Sequence, residues 1–473
     1  MRANNPSKAE KRPSGTKKRY NSLLILLAIE IAIALVIAAI GWSHAAETAH
    51  QLQFILDDRL SPLDLSSETH WLSEKLVELS TRYYRTRNYG NDSYAASLVG
   101  QFKSEYELFT FRYKENLGLL NETLKGGLLQ ELSSFDQNMA KKFVLEASFS
   151  DPSSQAPSEN KMYHDLVVAT SAQIANIRSE LFEETLKALK ETSAANFKHV
   201  IASLVIVIIV ILMNFVKTGV IIYDNIFSTR ARAMSHLRRI TLVLMAVVFV
   251  INTLAVTAEG AASCILMKQV LDRVGLLIDV EFTLFKNAKD IVVYDAVLTG
   301  SVSQFDFSGG ESYWSDRYNE YVPKLDEAIA ISKTLAQTPS DAQIYKVIDS
   351  VNAVLIDLET AAFNNYTSAF EPLYGADYLS NKNIYNFAAV KYINTQFARI
   401  QGELKSQIIS VQYLLYLSIA LTASGLLLAL MLLLWKGVRT EAYVKNSADK
   451  TGSITPGTEL SSTIIRSSSS GDY

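Results

Sequence analysis

Four stretches of the chain are almost wholly apolar: Leu23–Trp42, Val200–Val216, Ile240–Ala258 and Val411–Trp435. A helix needs about 20 such residues to cross the hydrocarbon of a bilayer, and a charged side chain within it is costly. The third and fourth stretches carry no charge, the second is followed by Lys217, which can reach back to the headgroups, and the first holds only Glu30. They are read as four membrane crossings, at 22–42, 200–217, 240–258 and 411–435, rather than as buried core helices. The first is too long for a secretory leader and Ser43-His44-Ala45-Ala46 is a poor cleavage site, so it is expected to remain as an anchor.

Between the crossings the apolar positions recur every three or four residues. Met267, Val270, Val274, Leu277, Leu284, Ala288 and Ile291 form one such run, and Ile344, Val347, Val351, Val354 and Leu358 a second. Val390, Ile393, Phe397, Ile400 and Leu404 form a third, which Val411 carries into the last apolar stretch. This spacing predicts helices packed along a left-handed seam. In the segment 259–410 the helices are expected to break at Gly300–Gly310, at Gln337–Ser340 and at Pro372–Gly375. In the segment 43–199 breaks are expected at Asn88–Asp92, Leu117–Asn121 and Ser148–Asn160, with Pro62 kinking the first helix. Each segment then holds four helices, and Ser93-Tyr94 and Ser312-Tyr313 are expected to open matching ones. The predicted fold is an all-α membrane protein, with four transmembrane helices and two extracytoplasmic four-helix bundles, one unit used twice.

Charge sets the orientation. Arg2, Lys8, Lys11, Arg12, Lys17, Lys18 and Arg19 precede the first crossing within the tail 1–21. Lys217, Arg230, Arg232, Arg238 and Arg239 lie at the link 218–239, and Lys436, Arg439 and Lys445 in the Ser/Thr-rich tail 436–473. Short basic segments stay in the cytoplasm, so both termini are expected inside and both bundles outside a cell membrane. The net charge of −3 with no strongly basic half argues against a nucleic-acid partner. Nine prolines and 20 glycines in 473 residues favour long helices, and the single Cys264 excludes an intrachain disulfide or a Cys-rich zinc site. The histidines are scattered, and no phosphate loop, dinucleotide fingerprint, nucleophile elbow or zinc-protease helix occurs. No enzymatic activity, cofactor or metal is expected.

Three stretches carry a resemblance. Trp314-Ser315-Asp316-Arg317-Tyr318 gives an aromatic-x-x-Arg-Tyr start, Leu358-Glu359-Thr360-Ala361-Ala362 a Glu-x-x-Ala helix, and Tyr378, Lys382 and Tyr385 a Tyr-x-x-x-Lys-x-x-Tyr segment. In this order they resemble the helical-bundle extracytoplasmic sensor regions of bacterial transmembrane receptors, among them diguanylate cyclases, histidine kinases and chemoreceptors. The first segment matches by layout only. The resemblance implies a sensor fold. Those receptors continue into a cytoplasmic output module, whereas 436–473 lacks apolar periodicity, so the output is expected on a separate protein.

Trp314, Arg317, Tyr318 and Tyr321 share one helical face, and an arginine framed by aromatics suits a small carboxylate or other anion. The alternative is that the aromatics are core and Arg317 pairs with a carboxylate such as Glu359. Arg82, Tyr83, Tyr84, Arg85, Arg87 and Tyr89 form a comparable cluster in the first segment, read as an anion site, a solvated end or a protein contact. Glu30, about 12 Å inside the first crossing, and Asn252 in the third are expected to make interhelical hydrogen bonds, in preference to a transport role. The leading functional expectation is a sensory, signal-input membrane protein, possible as a homo-oligomer, that passes helix motion to an effector. A structural or assembly subunit of a membrane complex is the alternative, and a transporter or channel subunit the weaker one.

Overall fold

A computed structural model of the protein describes residues 42–88, 93–149, 157–222, 265–336, 338–364 and 375–451, with Ala32, Ala39, Ala261 and Leu373 singly. All regular structure among them is helical, with no strand. The helices are α1 (Leu60–Asn88), α2 (Ser93–Thr123), α3 (Gly127–Ser148) and α4 (Pro157–Ile222), then α5 (Phe282–Phe307), α6 (Ser312–Leu335), α7 (Pro339–Asn364) and α8 (Ala376–Thr451). Two compact units contain them: Ile40–Leu417, and Met1–Ala39 with Ser418–Tyr473.

Within Ile40–Leu417 the two segments read from sequence as separate bundles share their cores. Leu52, Leu60, Leu63, Tyr113, Leu120 and Phe135 of the first pack in one cluster with Val274, Phe282, Phe285, Ile400 and Leu404 of the second. Leu79, Leu98 and Phe102 belong to a second cluster built otherwise from residues of α5 to α8. Burying such side chains contributes about 1.5–3 kcal/mol each. Neither segment therefore closes its own core.

The two first helices form the centre, and they run parallel. Asp64 meets Lys289 at 2.6 Å. Further along, Val77 meets Gly300, the amide of Gln304 donates to Thr81, and Arg85 pairs with Asp306. Both helices are buried on most faces despite many polar residues. Ser66, Ser67, Thr69, Ser73, Ser80, Thr81 and Thr86 of α1, and Thr299 and Ser301 of α5, return their hydroxyls to carbonyls three or four residues back. Satisfied in this way, a small polar side chain can sit inside.

Each central helix is entered through a π-helical turn at the same place. Leu60 donates its N–H to the carbonyl of Ile55 after the turn Ile55–Arg59, and Phe282 donates to Leu277 after Leu277–Glu281. Pro62, expected to kink the first helix, follows the first of these turns, but the second has no proline after it, so a proline is not required for the widened turn.

The expected breaks fall close to the observed ones, with two shifts. α2 runs through Leu117–Asn121 and ends at Thr123, before Gly126 at φ 63°. α5 runs through Gly300 and ends at Ser308–Gly310. There Gly309, at φ 76°, and the bond from Gly310 N–H to Phe305 O close the helix in the Schellman manner. Gly300 serves close packing instead: its face lies against Val77.

Among the described residues no helix is long and apolar enough to cross a membrane. Ile240–Ala258 lies outside them, as does Leu23–Trp42 apart from Ala32, Ala39 and Trp42. Val200–Val216 falls within α4, and Val411–Trp435 within α8. The large side chains described in the former, from Ile201 to Val216, are all exposed.

Candidate functional site

Burial of charge singles out one region. A carboxylate removed from water must be paired or protonated, and Glu359 on α7 is 2% exposed. Tyr318 of α6 donates its hydroxyl to Oε2 at 3.0 Å, and Tyr378 of α8 donates to Oε1 at 2.7 Å. Beside them Lys382, also on α8, places its Nζ 2.6 Å from Asp295 of α5 and donates to the Thr299 hydroxyl. All three sequence stretches that carry the resemblance therefore meet in one buried cluster.

The same arrangement exists in the first half. Glu146 on α3 accepts from Tyr106 of α2 at 2.6 Å and from Tyr163 of α4 at 2.7 Å. Helix for helix, α2, α3 and α4 here do what α6, α7 and α8 do there. Tyr106 and Tyr318 stand equally far before the ends of their helices at Thr123 and Leu335. The repeats thus align from those ends, and Ser93 and Ser312, expected to be equivalent, open helices of unequal length: α2 has 31 residues and α6 has 24. Lys142, fully buried, sits 3.2 Å from Glu146 and supplies the cation of this copy.

Around the second copy the charges are dense. On α1, Glu78 is flanked by Lys75 at 2.5 Å and by Arg82 at 3.1 Å. Burial acts to raise the Glu78 carboxyl, but Arg82, Lys75 and Lys382 together hold it down to about 2. Burial raises Asp295 against the pull of Lys382. Glu359 is pushed up to about 7, mainly by burial, with Asp295 adding to it and Lys382 and the two tyrosines opposing. His70 is held well below its usual value by burial, then by Arg178 and Arg317, and is therefore neutral at ordinary pH.

The structure places the candidate residues as follows. Trp314, Arg317 and Tyr318 are buried and Tyr321 half-buried on one face of α6. Arg317 Nη2 lies 2.9 Å from both carboxylate oxygens of Glu74 on α1, so its partner is Glu74 and not Glu359, which Tyr318 occupies. Trp314 packs edge-on to His164 and beside Tyr163 of α4. Arg82 pairs with Glu78 and lies over the rings of Phe102 and Tyr378. Arg85 forks onto Asp306 at 3.1 and 3.3 Å, and Tyr83 packs edge-on to Tyr84. Each of the three buried or half-buried arginines proposed for an anion thus meets a carboxylate of this chain. Glu30 and Asn252 lie outside the described residues, as does Tyr89.

Sequence reasoning missed Glu146, Tyr106, Tyr163 and Lys142, and the central carboxylates Glu74, Glu78 and Asp295. The available signal was the repeat itself: Phe102, Tyr106 and Phe109 have the spacing of Trp314, Tyr318 and Tyr321. Among the described residues no group of His, Cys, Asp or Glu could hold a metal ion. The cluster is a closed network that can bind or release a proton and can couple four helices, α5 to α8. No protein-family model, curated protein or solved structure matches this chain.

Proposed function

We propose that the protein is a membrane-embedded signal-input protein, whose helical body responds to a stimulus outside the membrane and passes helix displacement to a separate effector. The observation that carries this reading is the build of α4 and α8. Each bears a clasp tyrosine near its start, Tyr163 or Tyr378, and each continues as one helix into an apolar stretch, Val200–Val216 or Val411–Trp435. A helix packed along its length moves as a unit, and packed interfaces switch between discrete arrangements. The exposed apolar side chains from Ile201 to Val216 need a cover, and in this reading lipid provides it.

Two measurements test it together. Topology reporters are expected to put residues 60–190 and 270–400 on one, non-cytoplasmic side. Mild-detergent purification from native membrane is expected to bring a cytoplasmic or membrane effector along. Reporters on opposite sides, or purification without an effector, would reject the reading. A second reading, an assembly subunit, is favoured by large apolar side chains on outer faces, among them Phe387 at 74%, Val144 at 71% and Phe111 at 65% exposed. A complex of fixed stoichiometry, insensitive to any stimulus, would support that instead.

A further inference from the structure

The two Tyr–Glu–Tyr clasps differ in where their lysine sits. Lys142 lies one turn before Glu146 on the same helix and pairs with it directly. In the second clasp the lysine has moved to α8 and turned to α5, where it pairs with Asp295. Glu359 is left with two neutral phenol donors and no ion pair among the described residues. Duplication thus supplies an internal control: the same carboxylate in the same cradle, once with its own cation and once without.

We propose that Glu359 is a proton-binding site, and that its protonation is the stimulus that shifts α8 against α7 while the Glu146 clasp holds the first half fixed. The groups facing Glu359 are Asp295 from α5, Tyr318 from α6, and Tyr378, Lys382 and Tyr385 from α8. Behind them stand Lys75, Glu78 and Arg82 of α1. With Glu359 ionised, the cations Lys75, Arg82 and Lys382 are matched by Glu78, Asp295 and Glu359. A proton taken from solvent onto a Glu359 oxygen removes one negative charge from this buried group.

It also turns an acceptor into a donor. An ionised carboxylate accepts from both tyrosines, whereas the protonated acid has one oxygen that donates. Either Tyr318 or Tyr378 must then turn its hydroxyl or withdraw. Tyr378 is the tyrosine on α8, three helical residues from its start, so a withdrawal there acts on the helix that runs to Thr451. Burial already brings the Glu359 carboxyl to about 7, so small changes around neutral pH repopulate the two forms.

This inference names the stimulus of the sensory reading and rests on it for the purpose of the motion, though not for the protonation itself. The test is amide hydrogen exchange on the full chain in lipid nanodiscs, corrected for intrinsic rates, from about pH 5 to about pH 9, a range that brackets the raised carboxyl value. Protection of 352–364 and 376–392 is expected to change in one step centred near 7, a step absent from Glu359→Gln and retained in Glu146→Gln. Infrared difference spectra of the wild-type protein supply a readout that needs no variant: a protonated carboxyl band should titrate with the same midpoint. No step and no band in the wild type, or a step that survives in Glu359→Gln, would overturn the proposal. A step without any co-purified effector would leave the proton site standing and remove the sensory reading, and an effector without a step would do the reverse.

Discussion

Among the described residues Arg317 and Glu74 form the most buried of the ion pairs between the halves, and the loss of Arg317 can be worked through. Its side chain is 4% exposed and that of Glu74 2%, with Nη2 2.9 Å from both carboxylate oxygens. Arg317→Met keeps most of the apolar volume but strands Glu74 away from water. Breaking a buried pair from one side costs about 3–5 kcal/mol, because the remaining charge has lost its compensation. Removing both charges is far cheaper, since the cost of desolvating two ions disappears together with the attraction that offset it. Glu74→Leu with Arg317→Met should therefore lie within about 1–2 kcal/mol of wild type. Urea unfolding of the full chain in mild detergent reads this directly, through the emission of the fully buried Trp314. If Arg317→Met alone stays within about 0.5 kcal/mol of wild type, the level of an ordinary surface change, the pair does not join α6 to α1.

Glu78 and Glu359 make opposite predictions with pH. Glu78, held down to about 2, contributes stability that is present above its ordinary value of 4.5 and is lost as pH falls toward 2; Glu78→Gln should therefore unfold with about 3 kcal/mol less free energy than wild type above 4.5, a deficit that closes as pH falls toward 2. Glu359, raised to about 7, contributes stability that is full below 4.5 and is lost as pH rises through 7. Glu359→Gln, which stays neutral, should therefore be more stable than wild type at high pH, by about 3 kcal/mol, and similar to it in acid. At the end of α5, Gly309→Ala places a Cβ in the left-handed region and should cost about 1–2 kcal/mol in the same unfolding assay.

How far the sequence could be read depended on which side of a helix polar residues were allowed to occupy. The run from Val270 to Ile291 has its buried face where periodicity puts it. On α7 the stripe Ile344, Val347, Val351, Val354 and Leu358 is only partly the inward one: Ile344 is buried, Val347, Val351 and Leu358 are half-buried and Val354 is 42% exposed, while the inward face centres on Asp341, Tyr345, Ile348, Asn352, Leu355, Glu359 and Ala362. The true seam keeps the three-four spacing but contains two carboxylates and an amide, each of which a reading by hydropathy assigns to the surface. α8 repeats the lesson, with Gln396 and Gln407 buried and Val390 46% exposed.

Pairing between the halves was not legible for a related reason. Periodicity says that a helix has a partner and not which one, and α1, rich in serine, threonine and charged residues, can pass for an outer helix. The residues of the second clasp, Tyr318, Glu359, Tyr378 and Lys382, lie in the three stretches singled out from the sequence, but nothing in those stretches says that they touch. Three-dimensional contact supplies that, and with it the first clasp, whose residues share the spacing but little of the wording.

The parallel packing of α1 on α5 underlies the shared core, both clasps and the proposed relay, and one cross-link tests it. A Cβ built on Gly300 stands 3.6 Å from that of Val77, within the roughly 3.5–4.5 Å of a disulfide. Val77→Cys with Gly300→Cys, in a Cys264→Ser background that removes the only native cysteine, should oxidise within one chain in isolated membranes. With a protease site inserted in the link 218–239, the two halves should then stay joined after cleavage and part only on reduction. Halves that separate without reductant would contradict the account.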